Sequence, residues 1–242
     1  MTEPVPFESS SQQARALIKQ AILLMHLHGY SATGVAEIAL AAGVKKGSFY
    51  YWFDSKEALT ASAIGRYSEK RAAFRRRALA AGDGEPLQRL LEYFGYLEHC
   101  FAKLGYRRGC FIGNMALEAS DSSEAIRGAV VAALDDWERD LAAVVSEAQV
   151  EGSLDSKIDS TAVAHEMLSR WQGALLQMKT RRSGEPLRAF IRTLLPNLRI
   201  NSRSAAPTEA RSACGWGLKC ADIRSLGSRP SAVFSRLQRP FG

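Results

Sequence analysis

The residues with the most chemical content lie at 34–53, GVAEIALAAGVKKGSFYYWF. At helical spacing, Val35, Ile38, Ala39, Val44, Phe49 and Phe53 share a small inner face. Gly43 permits a tight turn between two short helices, and Ala41-Ala42 lets them cross closely. The second short helix then turns Lys45, Lys46, Gly47, Ser48, Tyr50 and Tyr51 outward. That surface offers ammonium and hydroxyl groups and no carboxylate, the chemistry that phosphate oxygens and base edges in a DNA major groove accept. Lys56 falls in the first turn of the next helix, where its ammonium and the free backbone N–H groups can share one phosphate. Taken alone, Lys45 and Lys46 read equally well as a solvated face.

Other reactive side chains form no catalytic pattern. Cys100, Cys110, Cys214 and Cys220 lack the pair spacing of a metal site, and His165-Glu166 lacks the second histidine of a metalloprotease helix. No glycine-rich phosphate loop, Ser-x-Gly elbow or paired-carboxylate pattern is present. Neither an enzyme, nor a metal, nor a cofactor is expected. His26 and His28, on either side of Leu27, read as surface or packing residues. Trp137, Asn114 and Glu118 can line a pocket or serve structure.

The elements that must position these residues are helical. Almost every segment from 11 to 199 has a period near 3.6 and none alternates as a strand, so the chain is expected to be all-α with about nine helices. Helices are expected up to Gly29, over 34–40 and 45–51, from a cap at Asp54 or Ser55 to about 80, and from Pro86 to about 104. Further ones are expected at 111–118, 122–151, 158–181 and Pro186 to about 195. The organisation expected is a helix-turn-helix domain over 11–71, with its motif at 34–53, and a larger helical domain over 75–200. A Ser/Gly/Arg/Pro-rich basic tail, expected to be disordered, follows over 201–242.

Charge follows the same division. Residues 1–80 carry 11 Lys/Arg against 6 Asp/Glu, and 201–242 carry 7 against 2, within a net +7 for the chain. The middle is therefore acidic. The first segment does not read as a secretion signal, and no apolar run approaches the roughly 18–20 residues of a membrane span. A cytoplasmic protein with no membrane partner is expected.

Over roughly 11–71 the sequence resembles the TetR family of one-component repressors. The likeness rests on His28-Gly29-Tyr30, Ile38-Ala39…Ala42-Gly43-Val44, Gly47-Ser48-Phe49-Tyr50-Tyr51-Trp52-Phe53 and Ser55-Lys56-Glu57. It implies that 44–51 is the recognition helix, with Lys46, Gly47, Ser48 and Tyr51 approaching bases and Tyr50 and Lys56 gripping phosphates. One departure stands out: Lys45 occupies a place where the family has Ser or Thr. A lysine cannot accept from helix N–H groups, so a cap worth about 1 kcal/mol is expected to be missing. Lys45 then adds a phosphate contact instead.

For the rest of the chain, the resemblance implies a ligand-binding and dimerisation domain and a homodimer on double-stranded operator DNA. Val163, Met167, Trp171, Ala174, Leu175 and Met178 form an apolar stripe fit for core or interface. Arg107-Arg108-Gly109-Cys110-Phe111-Ile112-Gly113-Asn114 is similar to the subgroup that includes repressors of N-ethylmaleimide reductase-type genes, which sense electrophiles and oxidants through cysteine. The likeness implies Cys110 as trigger and Lys179 as the lysine that bonds to it, with Arg107 and Arg108 favouring the thiolate. The other reading makes Cys110 an inert core thiol and leaves an ordinary small-molecule effector. Two rival functions remain: a small helical enzyme, and a nonspecific nucleic-acid binder driven by the tail.

Overall fold

Apolar residues recurring every three or four positions dictate helices, and helices are what form. The computed structural model describes residues 12–80 and 84–204, and among them it contains nine helices and no strand. They are α1 (Gln12–His28), α2 (Val35–Ala41), α3 (Lys46–Trp52), α4 (Lys56–Leu79) and α5 (Pro86–Lys103). The chain continues with α6 (Phe111–Ala119), α7 (Glu124–Val150), α8 (Ser160–Arg181) and α9 (Glu185–Ser204). The expected all-α class is observed.

Local chemistry sets the boundaries. Gly29 ends α1 at φ +93°, its N–H donating to the Met25 carbonyl at 2.9 Å. Gly43 turns between α2 and α3 at φ +68°, a conformation that costs a residue with a Cβ but not glycine. The hydroxyl of Ser55 accepts from the Ala58 N–H at 3.1 Å and starts α4. Ser123 caps α7 and Asp159 caps α8 in the same way. Lys45 begins α3 with no side-chain cap, as its chemistry requires.

One correction concerns α9, which passes Pro196 and runs to Ser204 rather than stopping near 195. The apolar period continues through Leu187, Phe190, Leu194 and Leu198, all buried. Burying Leu198 contributes about 1.5–3 kcal/mol, which offsets most of the roughly 3 kcal/mol cost of an interior proline. Residues 201–204 of the expected tail thus fall within α9, and 205–242 lie outside the described residues.

A single contiguous core runs from Leu17 and Phe49 in the first three helices to Trp171 and Leu194 in the last two. The 24-residue α4 belongs to both ends. Its first turns pack on α1, and its last turns are held to α7 by an ion cluster. Arg75, 2% exposed, donates to Asp140 Oδ2 at 2.6 Å and Asp136 Oδ2 at 2.8 Å. Arg76 donates to the other oxygens of the same two carboxylates. Two guanidinium groups of α4 thus meet two carboxylates of α7, and Arg139 joins them at Asp136 Oδ1.

Candidate nucleic-acid interface and ligand cavity

The turn at Gly43 sets α3 across α2 with Phe49 fully buried beneath it, beside Ile38, Ala39 and Val44. Anchoring Phe49 inward forces its neighbours outward: Tyr50 is 54% exposed and Tyr51 79%. Lys45 and Gly47 are exposed and Ser48 is half-buried. The side chain of Lys46 lies outside what the structure describes. The outer face of α3 is free of carboxylates along its length.

Lys56 is engaged from within. Its ammonium donates to the Tyr30 carbonyl at 2.6 Å and lies 3.9 Å from the centre of the Tyr30 ring. Burial lowers its pKa, against the opposing charges of Glu57 and Glu118. An ammonium has three N–H donors, so this bond leaves it able to take a phosphate oxygen as well. The Tyr30 hydroxyl donates to Glu57 Oε1 at 2.9 Å, and the Tyr30 N–H donates to Glu118 Oε2 at 2.6 Å. A Cβ at Gly29 would stand 2.8 Å from that carboxylate, so glycine serves close approach there as well as turning. Glu118 therefore ties α6 to the corner between α1 and α2.

A second tie lies at the start of α6. His26 Nε2 donates to the Gly109 carbonyl at 2.9 Å, and its ring meets Tyr67 and Phe111 edge-on or at a steep angle. Burial pushes its pKa down to about 4; the Gly109 bond opposes this, and Arg108, Arg71 and Lys179 add to it. His26, expected on the surface or in packing, is thus a hinge contact beside Cys110.

Cys110 is buried, 6% exposed, and accepts a weak bond from Gln172 Nε2 at 3.6 Å. Lys179 passes alongside, its Cδ 3.3 Å from where a Gly109 Cβ would be, but its ammonium goes to Asn114 Oδ1 at 3.3 Å. Asn114 in turn donates to the Arg108 carbonyl, and Arg107 is exposed. Cys110 and Lys179 are neighbours without a direct bond.

Behind Cys110 is a partly open cavity of about 60 Å³. α4 contributes Tyr67, Ser68, Arg71, Phe74 and Arg75; α5 contributes Tyr93, Leu97, Cys100 and Phe101. Trp137 on α7 and Trp171 on α8 also line it, as do His26 and Cys110. The indole nitrogens of both tryptophans are buried with no hydrogen-bond partner among the described residues. Burial raises the pKa of Tyr67 and Tyr93, keeping both phenols neutral. The sequence reading missed this face of α4, although the spacing i, i+4, i+8 of Tyr67, Arg71 and Arg75 could have marked it. Cys100 gave no comparable signal.

The stripe Val163, Met167, Trp171, Ala174, Leu175 and Met178 is buried inside the chain and serves as core. Trp137 lines the cavity, whereas Asn114 and Glu118 hold neighbouring segments. His165 meets Glu138 at 2.9 Å. Among the described residues no group of three His, Cys, Asp or Glu side chains could hold a metal, and no helix is long and apolar enough to cross a membrane.

Two family models match the chain: bacterial regulatory proteins of the tetR family over residues 17–63, and the tetracyclin repressor-like C-terminal domain over 86–194. The transcriptional regulator AcuR of Cereibacter sphaeroides is 35% identical over 179 residues, 74% of this chain and 82% of that protein. The chain belongs to the TetR family. As a TetR-family protein it is a transcription regulator with a helix-turn-helix, not an enzyme. The HTH-type transcriptional repressor NemR of Escherichia coli K12 is 32% identical over 166 residues, 66% of this chain and 80% of NemR. A crystal structure of reduced E. coli NemR superposes with a TM-score of 0.71 at 27% identity, covering 76% of this chain and 95% of that one.

Proposed function

We propose that this protein is a homodimeric repressor whose α3 reads operator DNA and whose release is triggered by a small molecule or electrophile acting in the cavity behind Cys110. The observation that carries the reading is α3 itself: Phe49 is spent on the core while Tyr50 and Tyr51 stand out on an acid-free helix. Lys46, Gly47, Ser48 and Tyr51 approach bases in the groove, and Lys45, Tyr50 and Lys56 take phosphates. Two recognition helices roughly 34–36 Å apart then read a pseudo-palindrome. The domains at work are 11–71 and 75–200, and the site of action is the cytoplasm, where the DNA is.

Repression as the sign of regulation is supported by the relative named a repressor. The buried stripe of α8 leaves the dimer to other residues, among them Leu176, 56% exposed. The contacts of His26 with Gly109 and of Glu118 with Tyr30 join both ends of α6 to the reading head, so a ligand that favours a different α6 position weakens DNA binding. A second reading, Cys110 as a redox trigger, is favoured by its place on the cavity wall next to Lys179.

Fluorescence anisotropy on the duplex upstream of the protein's own gene tests the reading. Tyr50→Ala and Lys56→Met should each weaken binding, and Lys56→Met should also flatten its dependence on salt by about one phosphate contact. Deleting 205–242 should leave specific binding in place. Binding lost with the tail but kept in both point variants overturns it. For Cys110, a Cys110→Ser protein that responds to every electrophile like wild type removes the redox reading.

A further inference from the structure

We infer that Trp52 presets the Tyr51 ring for the base edges of the operator, and that Gln13 of α1 holds Trp52 in place. Trp52 is then a positioning residue: sequence discrimination by α3 depends on it although it need not touch a base. This rests on the reading of α3 as the recognition helix and names what prepares one of its reading side chains.

Exposure poses the problem. Tyr51 is 79% exposed, the more open of the two outward tyrosines. Side chains on a helix lean back over the residues three and four positions earlier. For Tyr51 these are Ser48, whose side chain is short, and Gly47, where even a Cβ would meet nothing within 4 Å. Tyr50 is served differently, its ring meeting the buried Phe49 edge-on at 5.1 Å. Within its own turn of helix Tyr51 has little to lean on, and a ring free to swing must be ordered when DNA binds. The same bare turn at Gly47, on the same face, leaves room for a base edge to reach the ring.

Trp52 supplies the support. Its ring centre lies 4.5 Å from that of Tyr51 with the planes at 90°, the edge-to-face arrangement that aromatic quadrupoles favour. It can serve because it is itself tethered. Trp52 is half-buried and packed against the core. Its indole N–H, which can only donate, goes to Gln13 Oε1 at 3.3 Å in the first turn of α1. The ring is thus fixed from the α1 side and meets Tyr51 on the other. Binding to unrelated DNA is carried by phosphate contacts, so the benefit of a preset ring falls on the operator.

A double-mutant cycle read by fluorescence anisotropy on the full chain tests this. It uses Trp52→Leu, Tyr51→Ala and the pair, on the upstream duplex and on an unrelated duplex of equal length. Trp52→Leu should weaken binding to the upstream duplex about three- to tenfold, the ordering cost of one side chain, and change binding to the unrelated duplex by less than about twofold. In the Tyr51→Ala background the same substitution should shift the upstream duplex by less than about twofold, since the two residues act as one unit. Thermal melts establish that each variant is folded. Gln13→Met, which leaves Trp52 in place and removes only the acceptor, is the second probe. It should cost about two- to fivefold on the upstream duplex, again only while Tyr51 is present. A Trp52→Leu loss that persists in full without Tyr51, or that is equal on both duplexes, overturns the inference, as does a Gln13→Met protein that binds like wild type. The cycle keeps the two readings apart: a Trp52 effect independent of Tyr51 overturns the presetting and leaves DNA reading by α3 standing. A Tyr51→Ala protein that binds the upstream duplex like wild type overturns the base contact of Tyr51, and the inference with it.

Discussion

Acid should destabilise this protein through His26, and the size of the effect follows from where that imidazole sits. The ring is enclosed by Tyr67, Phe111 and the Gly109 carbonyl, with Arg108, Arg71 and Lys179 as its charged neighbours. Burial holds its pKa at about 4, against an ordinary 6.5 in the unfolded chain. The unfolded state therefore binds the proton first as pH falls. Stability that is fully present above about pH 6.5 is lost progressively down to about pH 4 and then levels off. At about 1.4 kcal/mol per pH unit, the interval amounts to about 3 kcal/mol. The perturbation is His26→Gln, which keeps an N–H for Gly109 but cannot take up a proton in this range. Urea unfolding of both proteins from pH 7.5 to 4, followed by circular dichroism, isolates the term because the carboxylates titrate alike in each. The stability difference between wild type and variant should shift by about 3 kcal/mol in favour of the variant as pH falls. Parallel profiles would refute the assignment of a buried neutral histidine.

Two further outcomes follow from the packing. Arg75→Met removes the buried guanidinium that bonds Asp136 and Asp140 of α7 from α4 and should cost about 3–5 kcal/mol in urea unfolding; Arg76→Met, at an exposed position, should cost under about 1 kcal/mol. Phe49→Ala should lose about 3–5 kcal/mol of stability by emptying the core under α3, whereas Tyr51→Ala should stay within about 0.5 kcal/mol of wild type while binding DNA more weakly.

The reading head was largely legible in the sequence. The glycines at 29 and 43 mark turns that no other residue takes as easily, and the period of Ile38, Ala39, Val44 and Phe49 on either side of the second sets which face is buried. The missing cap at Lys45 was legible too, because it depends on one side chain. The internal bond of Lys56 was not, since it needs Tyr30 brought round by the α1–α2 corner. Long-range ties such as Glu118 to the Tyr30 N–H, 88 residues apart, leave no local trace. The cavity was hidden for the same reason: its walls come from several helices, each of which reads alone as an ordinary amphipathic face. Trp171 was rightly read as buried, but that its N–H lacks a partner depends on neighbours no periodicity names. The end of α9 was misjudged because Pro196 is a strong local stop signal, while Leu198 two residues later keeps the helix on the core.

The central claim is that the outward face of α3 sits on DNA. Replacing one residue with a photoreactive amino acid, Tyr51→p-benzoylphenylalanine, and irradiating the complex with its upstream duplex tests that contact directly. The reading predicts a covalent protein–DNA product from position 51, and none from the same replacement at Leu176 on α8. A duplex that binds the protein but is labelled from Leu176 and not from position 51 would contradict it.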